Sequence, residues 1–138
     1  MIVLVDTCVW SLAFRRSRKN VNIQETRTLR LLEEIILEGR AQMLGLVRQE
    51  LLSGVHQKAQ FDLLLAATRS FSDVDLDVAD HEEGAIAANK CRAAGIAGSL
   101  IDFLLCAVAA RRNWAILTTD KDFARYQEHL PFTLIPNG

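Results

Sequence analysis

Residues 2–6 read Ile2-Val3-Leu4-Val5-Asp6, a short apolar run that ends directly in a carboxylate. Its β-branched side chains favour a strand, and the lack of polar positions within the run indicates that the strand is buried. A similar run, Ala115-Ile116-Leu117-Thr118, lies near the other end of the chain and is followed by Asp120. Buried strands of this kind are typical of parallel sheets covered by helices, so the two runs predict an α/β fold.

Helical patterns separate the predicted strands. Helices are expected to start near Thr7 and to cover residues 24–38, 48–69, 80–94, 99–112 and 121–128. Gly39 and Gly95 are expected to end two of them, and Ser53-Gly54 predicts a break within the long third segment. Asp80 and Glu83 resemble a capping pair for the helix over residues 80–94.

Three further strands complete the predicted sheet. Residues 43–47 and 132–135 are apolar runs, and Val74, Leu76 and Val78 alternate with aspartates. The alternation favours an edge strand with one wet face. Since strands and helices alternate and crossovers are right-handed, we expect a doubly wound, mainly parallel sheet with helices on both faces.

The composition suits one compact domain over residues 1–138, since half of the residues are hydrophobic. No apolar run reaches the roughly 18 residues of a membrane span, and the N-terminus lacks the features of a signal peptide, so we expect a cytoplasmic protein. Cys8, Cys91 and Cys106 show no CxxC spacing. We interpret them as buried reduced thiols, not as a zinc site.

Four acids fall at the ends of predicted elements: Asp6, Glu50, Asp102 and Asp120. Each alone is explained by a helix start, where a carboxylate is favoured by roughly 0.3–1 kcal/mol. Open parallel sheets bind ligands beyond the carboxyl ends of their strands. If the four acids converge there, their repulsion and desolvation require a cation, and oxygen ligands select Mg²⁺ or Mn²⁺.

Four segments resemble, in the same order, the motifs of PIN domains. They are Val5-Asp6-Thr7-Cys8-Val9-Trp10, Arg48-Gln49-Glu50-Leu51-Leu52-Ser53-Gly54, Leu100-Ile101-Asp102-Phe103-Leu104-Leu105-Cys106-Ala107-Val108-Ala109 and Leu117-Thr118-Thr119-Asp120-Lys121-Asp122-Phe123. The resemblance covers nearly the whole chain. Its length and layout are similar to the VapC toxins of bacterial and archaeal toxin–antitoxin pairs.

The resemblance implies a PIN fold, Mg²⁺- or Mn²⁺-dependent endoribonuclease activity, a homodimer and inhibition by a co-expressed antitoxin. Transfer RNA and ribosomal RNA are the target classes that it implies. The site residues that it implies are the acidic set Asp6, Glu50, Asp102 and Asp120, with Asp122 sharing the fourth acidic position, and Thr7 and Thr118 as supporting residues. Thr118 is expected to hydrogen-bond a carboxylate or water.

As a mechanistic hypothesis, Asp6, Asp102 and Asp120 hold the metal, and Glu50 holds a second metal or orients the attacking water. The resemblance implies direct attack by water, leaving a 5′-phosphate and a 3′-hydroxyl. Four cations are expected to bind RNA phosphates, with a solvated loop as the alternative: Arg15, Arg16, Arg18 and Lys19. They supply a local positive patch although the formal net charge is −1.

Three alternatives remain open at this stage. A receiver-like signalling domain also has acids at strand ends, but it usually carries paired acids after the first strand, where this chain has Asp6 alone. A phosphatase that uses Asp120 and Asp122 would normally place its D-x-D after the first strand. The third alternative is a PIN fold that only binds RNA or a partner.

Overall fold

The computed structural model describes residues 1–15 and 18–136. Within these residues the chain forms a four-stranded sheet, seven α-helices and one 3-10 helix. The elements follow in this order: β1 (Val3–Val5), α1 (Thr7–Phe14), the 3-10 helix (Arg18–Asn20), α2 (Ile23–Leu37), β2 (Ala41–Gln42), α3 (Gly45–Ser53), α4 (Lys58–Thr68), α5 (Val78–Ala93), α6 (Leu100–Arg112), β3 (Ala115–Leu117), α7 (Asp122–Gln127) and β4 (Thr133–Leu134).

The four strands form one parallel sheet in the order β2-β1-β3-β4. β1 pairs directly with β3, with Leu4 opposite Ile116, and every residue of both strands is buried. The prediction of a parallel α/β sheet flanked by helices is confirmed. The chain runs outward from β1 to β2 and then returns past β1 to β3, so the strand order reverses between β1 and β3. Open parallel sheets bind ligands at such a reversal.

Several helix ends follow directly from the local sequence. Ser99 and Asp102 form a capping box at the start of α6, in which each side chain bonds the backbone N–H of the other residue. Gly39 follows α2 with φ +70°, and Gly95 follows α5 with φ +77°. A residue with a Cβ is strained in this left-handed region, so the two glycines end their helices as predicted. The predicted break at Gly54 is also present, since α3 ends there.

The strand predicted over residues 43–47 is wrong. β2 comprises only Ala41–Gln42, and Leu44 is already the N-cap of α3. Val47 and Leu51 lie four residues apart and are both fully buried, which places them on the inner face of a helix. The sequence misled because a short buried apolar run satisfies a strand and a helix start equally well.

The edge strand predicted from Asp73 to Val78 is also wrong, apart from a single parallel bridge between Asp73 and Met43. Residues 74–77 are an irregular connection, and Val78 is the first residue of α5. The helix therefore begins two residues earlier than predicted. Its capping pair is Asp77 with Asp80, not Asp80 with Glu83. Of the aspartates that suggested a wet strand face, Asp77 caps α5 and pairs with Arg111, and Asp73 pairs with Arg48.

Asp80 is fully buried and joins α5 to α6 through an ion-pair cluster. Its Oδ1 accepts hydrogen bonds from Arg112 Nη1 at 2.6 Å and from Arg111 Nη1 at 2.7 Å, and its Oδ2 accepts one from Arg112 Nη2 at 2.9 Å. Hydrogen bonding to the Arg112 guanidinium holds the pKa of Asp80 well below its usual range. The Arg112 guanidinium also lies 5.5 Å from the ring centroid of Trp114. The cluster therefore fixes α5 on α6.

The core contains the side chains that surround β1 and β3. Trp10 is fully buried, with its ring stacked on Phe14 at a centroid distance of 5.7 Å. Cys91 and Cys106 are buried free thiols, as predicted, and burial raises the pKa of both. No helix in the described part of the chain is long and apolar enough to cross a bilayer.

Candidate active site

The carboxyl ends of β1 and β3 are joined by a hydrogen-bonded chain of side chains. Asp6 directly follows β1, and its backbone N–H donates to Leu117 O of β3 at 3.0 Å. The Thr118 hydroxyl donates to Asp6 Oδ2 at 2.7 Å and accepts from the backbone N–H of Asp120 at 3.0 Å. Thr118 thus bonds a carboxylate, and it brings Asp6 and Asp120 to the point where the strand order reverses.

Asp102 reaches the same point from the start of α6. Its Oδ2 accepts from the Ser99 backbone N–H at 3.4 Å and from the Tyr126 hydroxyl at 3.2 Å. Burial raises the pKa of Asp102, and repulsion from Asp120 adds to that rise. Burial likewise raises the pKa of Asp6, and repulsion from Asp102 adds to it. We call these three aspartates the acid cluster: Asp6, Asp102 and Asp120.

The aspartates of the acid cluster lie at the starts of helices and also lie near one another in the fold. Asp6 is the N-cap of α1 and accepts from the Thr7 backbone N–H at 2.8 Å. Asp120 accepts from the backbone N–H of Asp122, the first residue of α7, at 2.9 Å. With Asp102 in the first turn of α6, three helix starts meet at one edge of the sheet. Helix N-termini favour negative charge, which partly offsets the repulsion.

A PIN domain profile matches residues 3–129, which is most of the chain. The chain belongs to the PIN-domain family. Membership implies nuclease activity. No curated protein sequence matches this PIN domain significantly.

Several solved structures share the fold of this PIN domain. FitAcB from Neisseria gonorrhoeae is 18% identical, with a TM-score of 0.76 over 99% of this chain and 98% of that chain. VapBC2 from Rickettsia felis, bound to a DNA fragment from the promoter, is 19% identical, with a TM-score of 0.66 over 98% of both chains. VapBC-5 from Mycobacterium tuberculosis, of the VapBC family of toxin–antitoxin systems, is 16% identical, with a TM-score of 0.66 over 98% of both chains.

The acid cluster retains oxygen atoms that no protein donor occupies. Among the described residues, no hydrogen bond involves Oδ1 of Asp102 or Oδ2 of Asp120. In the described ranges, no group of three or more His, Cys, Asp or Glu side chains is arranged to hold a metal ion. Mg²⁺ usually binds one or two carboxylates and keeps several waters, so it does not need three protein ligands. An all-oxygen set with two open carboxylate positions therefore fits a hydrated Mg²⁺ or Mn²⁺.

Neither Glu50 nor Asp122 is joined to the acid cluster by a hydrogen bond of its own side chain among the described residues. Glu50 is an exposed residue in the second turn of α3, not in the first turn as predicted, because the helix already begins at Gly45. It forms no hydrogen bond or ion pair with the residues that the structure describes. Asp122 is exposed, and its backbone bonds Asp120. Of the two neighbouring acids, Asp120 is the one whose charge reaches Asp102.

Arg15, the first of the four predicted RNA-binding cations, lies at the opposite end of α1 from Asp6. It is the exposed C-cap of this helix, nine residues after Asp6, so the two residues are about 13.5 Å apart along the helix axis. The Arg15 guanidinium lies against Gly54, where a Cβ would be 3.2 Å from Nη2. Lys19 is exposed in the 3-10 helix. Arg16 and the side chain of Arg18 lie outside the described residues.

Two side chains at the site were missed by sequence reasoning: Cys8 and Tyr126. The Cys8 thiol donates to Asp6 Oδ2 and lies 3.5 Å from it, and the same distance separates it from Thr118 Oγ1. Burial raises the pKa of Cys8, which keeps it a neutral thiol donor. Cys8 lies in the first turn after Asp6, which was an available signal, whereas nothing in the sequence connects Tyr126 with Asp102.

Thr7 contributes to the site through its backbone. Its N–H bonds Asp6 Oδ1, whereas its hydroxyl is buried and has no hydrogen-bond partner among the described residues. A buried hydroxyl without a partner costs free energy unless water or a ligand satisfies it. The supporting role expected for the Thr7 side chain remains a prediction.

Proposed function

We propose that this PIN domain is a Mg²⁺- or Mn²⁺-dependent endoribonuclease and the toxin of a toxin–antitoxin pair. The observation that carries the catalytic part is the acid cluster. Three aspartates meet at the reversal of strand order, and their mutual repulsion adds to the burial that raises the pKa of two of them. A cation that binds there relieves the repulsion, which is the physical reason for a metal site.

We assign the following roles to the residues of the site. Asp6, Asp102 and Asp120 hold the cation, and Asp122 supports Asp120. Thr118 and Cys8 fix the orientation of the Asp6 carboxylate through their hydrogen bonds. Glu50 approaches from α3 to orient the attacking water or a second cation.

When bound, the cation supplies Lewis acidity for the attack of water on a phosphodiester and screens the charge of the phosphate. The products are a 5′-phosphate and a 3′-hydroxyl. Transfer RNA and ribosomal RNA are the target classes that we propose. Arg15, Arg16, Arg18 and Lys19 contact phosphates of the same strand at a distance from the cleaved bond.

The partner part of the proposal rests on the similar structures, which include a toxin–antitoxin complex from Klebsiella pneumoniae and a member of the VapBC family of toxin–antitoxin systems. An antitoxin segment that carries an Arg or Lys side chain would pair with the acid cluster and exclude the cation. We also propose a cytoplasmic homodimer, in keeping with a toxin that cuts RNA inside the cell.

Cleavage of labelled transfer RNA and ribosomal RNA by the purified protein tests the catalytic part. We expect cleavage that stops with EDTA, returns with Mn²⁺ and is lost in Asp102→Asn. Asp62→Asn is the matched control, because Asp62 is exposed and its one ion-pair partner among the described residues is Lys58. Cleavage that persists in EDTA would overturn the metal part. RNA binding without any cleavage would favour the PIN fold that only binds.

Expression in a related host tests the toxin part. We expect arrested growth when the protein is expressed alone and normal growth when the product of an adjacent small gene is co-expressed. The Asp6→Asn variant should be harmless in both cases. Normal growth with the intact acid cluster, at a comparable protein level, would count against the toxin and leave the nuclease standing.

A further inference from the structure

The hydroxyl of Tyr126 is a buried group that the proposed chemistry does not use. Tyr126 is the single tyrosine of the chain and is 1% exposed. Its hydroxyl lies 3.2 Å from Asp102 Oδ2 and 3.4 Å from the carbonyl oxygen of Ala97. A phenol has one proton to donate, and the carboxylate is the charged and nearer acceptor. The stronger hydrogen bond is therefore the one to Asp102.

The position of the tyrosine ring is set by its neighbours. Phe103 and Phe123 pack against it, with ring centroids 5.0 Å and 5.1 Å away. On another side the ring meets Gly98, where a Cβ would lie 2.6 Å from the tyrosine oxygen and 2.8 Å from Phe103 Cζ. No side chain fits at position 98 unless the ring moves. The hydroxyl is thus held at one place relative to α6.

The hydrogen bonds on Asp102 are unevenly divided between its two oxygens. Oδ2 accepts from both the Ser99 backbone N–H and the Tyr126 hydroxyl. Oδ1 accepts none from the described residues. The Ser99 bond alone is long, at 3.4 Å, and would leave the carboxylate free to rotate. Two donors on one oxygen fix the rotation of the group and leave the other oxygen available.

We infer that Tyr126 is a positioning residue for Asp102, holding its carboxylate so that Oδ1 is presented to the divalent cation. The inference rests on the proposed function, since it takes the acid cluster as the metal site. Tyr126 touches neither the RNA nor the reacting atoms in this role. It acts through Asp102, as partners behind a metal ligand usually do.

The test is the affinity of the metal-free protein for Mn²⁺, measured by calorimetric titration without RNA. Tyr126→Phe removes the hydroxyl and keeps the ring, and we expect the Kd for Mn²⁺ to rise about tenfold, the lower end of the effect of losing such a partner. Gly98→Ala keeps the hydroxyl but displaces it, and should weaken Mn²⁺ binding in the same direction. The unfolding temperature of each metal-free variant shows whether it has folded.

Phe132→Leu is the matched control. Phe132 packs on Phe123 in the same aromatic group, whereas the rings that pack on Tyr126 are those of Phe103 and Phe123. The Phe132→Leu variant should have a lower unfolding temperature and an unchanged Kd for Mn²⁺. If folded Tyr126→Phe binds Mn²⁺ as tightly as the wild-type protein, the tyrosine has only a packing role and the inference is overturned. If the wild-type protein itself binds no Mn²⁺, the proposed metal site fails and the inference fails with it.

Discussion

At the scale of one residue, the buried carboxylate of Asp6 lowers the folding stability of the metal-free protein. Burial and the neighbouring Asp102 raise the pKa of Asp6, whereas hydrogen bonds from Thr118 and Thr7 oppose that rise. The net shift is upward, so the ionised carboxylate is less stable in the metal-free folded protein than in the unfolded chain. Folding stability therefore decreases as the pH rises from the unfolded pKa, about 3.9, through the higher folded value.

Asp6→Asn should abolish cleavage and leave the metal-free protein at least as stable as the wild type at pH 7. The amide keeps the size of the side chain and removes the buried charge. We expect a loss of cleavage of at least about 100-fold, in the range of a lost transition-state contact. Cleavage of labelled RNA and thermal unfolding in EDTA are the two measurements. A large drop in the unfolding temperature would show that the Asp6 charge stabilises the fold.

Mn²⁺ should stabilise the wild-type protein much more than the Asp6→Asn variant. A ligand that binds only the folded state raises the free energy of unfolding by about 2.7 kcal/mol at 100 times its Kd. Mn²⁺ at that excess should raise the unfolding temperature of the wild-type protein by several degrees and that of Asp6→Asn by much less. Equal shifts in both proteins would place the bound Mn²⁺ away from Asp6.

At the scale of elements, the contact between α5 and α6 depends on one buried carboxylate. The Asp80 carboxylate accepts three hydrogen bonds from Arg111 and Arg112, and its Oδ2 accepts a fourth from the backbone N–H of Asp77. Because α6 begins at the site and ends at these arginines, the Asp80 cluster fixes the far end of the helix that carries Asp102. The cluster is structural, and it lies at the opposite end of α6 from the acid cluster.

Asp80→Asn should lower the free energy of unfolding by about 3–5 kcal/mol, since it leaves two guanidinium groups without their buried partner. Asp75→Asn is the control, because its side chain is exposed and the change should stay within about 0.5 kcal/mol. Urea denaturation at pH 7 gives both values. An effect of Asp80→Asn no larger than that of Asp75→Asn would contradict the structural role.

The Asp80 carboxylate also makes the folding stability depend on pH. The pKa of folded Asp80 is lowered, so its stabilisation is complete above the unfolded pKa, about 3.9, and is lost as the pH falls toward the folded value. The difference in unfolding free energy between wild type and Asp80→Asn should therefore shrink when the pH is lowered from 7 to 3. A constant difference over that range would show that Asp80 is not ionised in the folded protein.

At the scale of the whole molecule, charge is divided between two places. The formal net charge is −1, yet acids gather at the carboxyl edge of the sheet, and Arg15 lies at the far end of α1 with Lys19 shortly after it in the chain. An RNA strand that passes both places would meet the acid cluster at the cleaved bond and these cations farther along. Binding and cleavage would then depend on different residues.

Replacing Arg15, Arg16, Arg18 and Lys19 with Ala should weaken RNA affinity and flatten its dependence on salt, because each phosphate contact adds about 0.7 to the slope for a single strand. The Kd for Mn²⁺ should barely change. The control replaces four exposed cations elsewhere and alters the net charge equally: Arg30, Arg69, Lys90 and Arg92. Filter binding over a range of salt concentrations is the measurement. Equal slopes for the two variants would exclude a special role for residues 15–19.

Local features of this chain were predictable from sequence. The buried strand before Asp6, the glycine that ends α2 and the capping box at Ser99 each depend on residues within one or two turns. The same reasoning placed Asp6, Asp102 and Asp120 at the ends of elements. It failed at 43–47 and at 74–78, because a buried apolar run and an alternating acidic run each satisfy more than one backbone conformation.

The sequence by itself determined that strands and helices alternate and that single acids stand at their ends, since period, caps and turns act over short distances. Only the tertiary structure decided which acids meet. The reversal of strand order between β1 and β3 brings Asp6 to Asp120, and it leaves Glu50 exposed on α3. Contacts such as that of Tyr126 with Asp102 join elements distant in the chain, and no local pattern encodes them because they depend on how the helices pack.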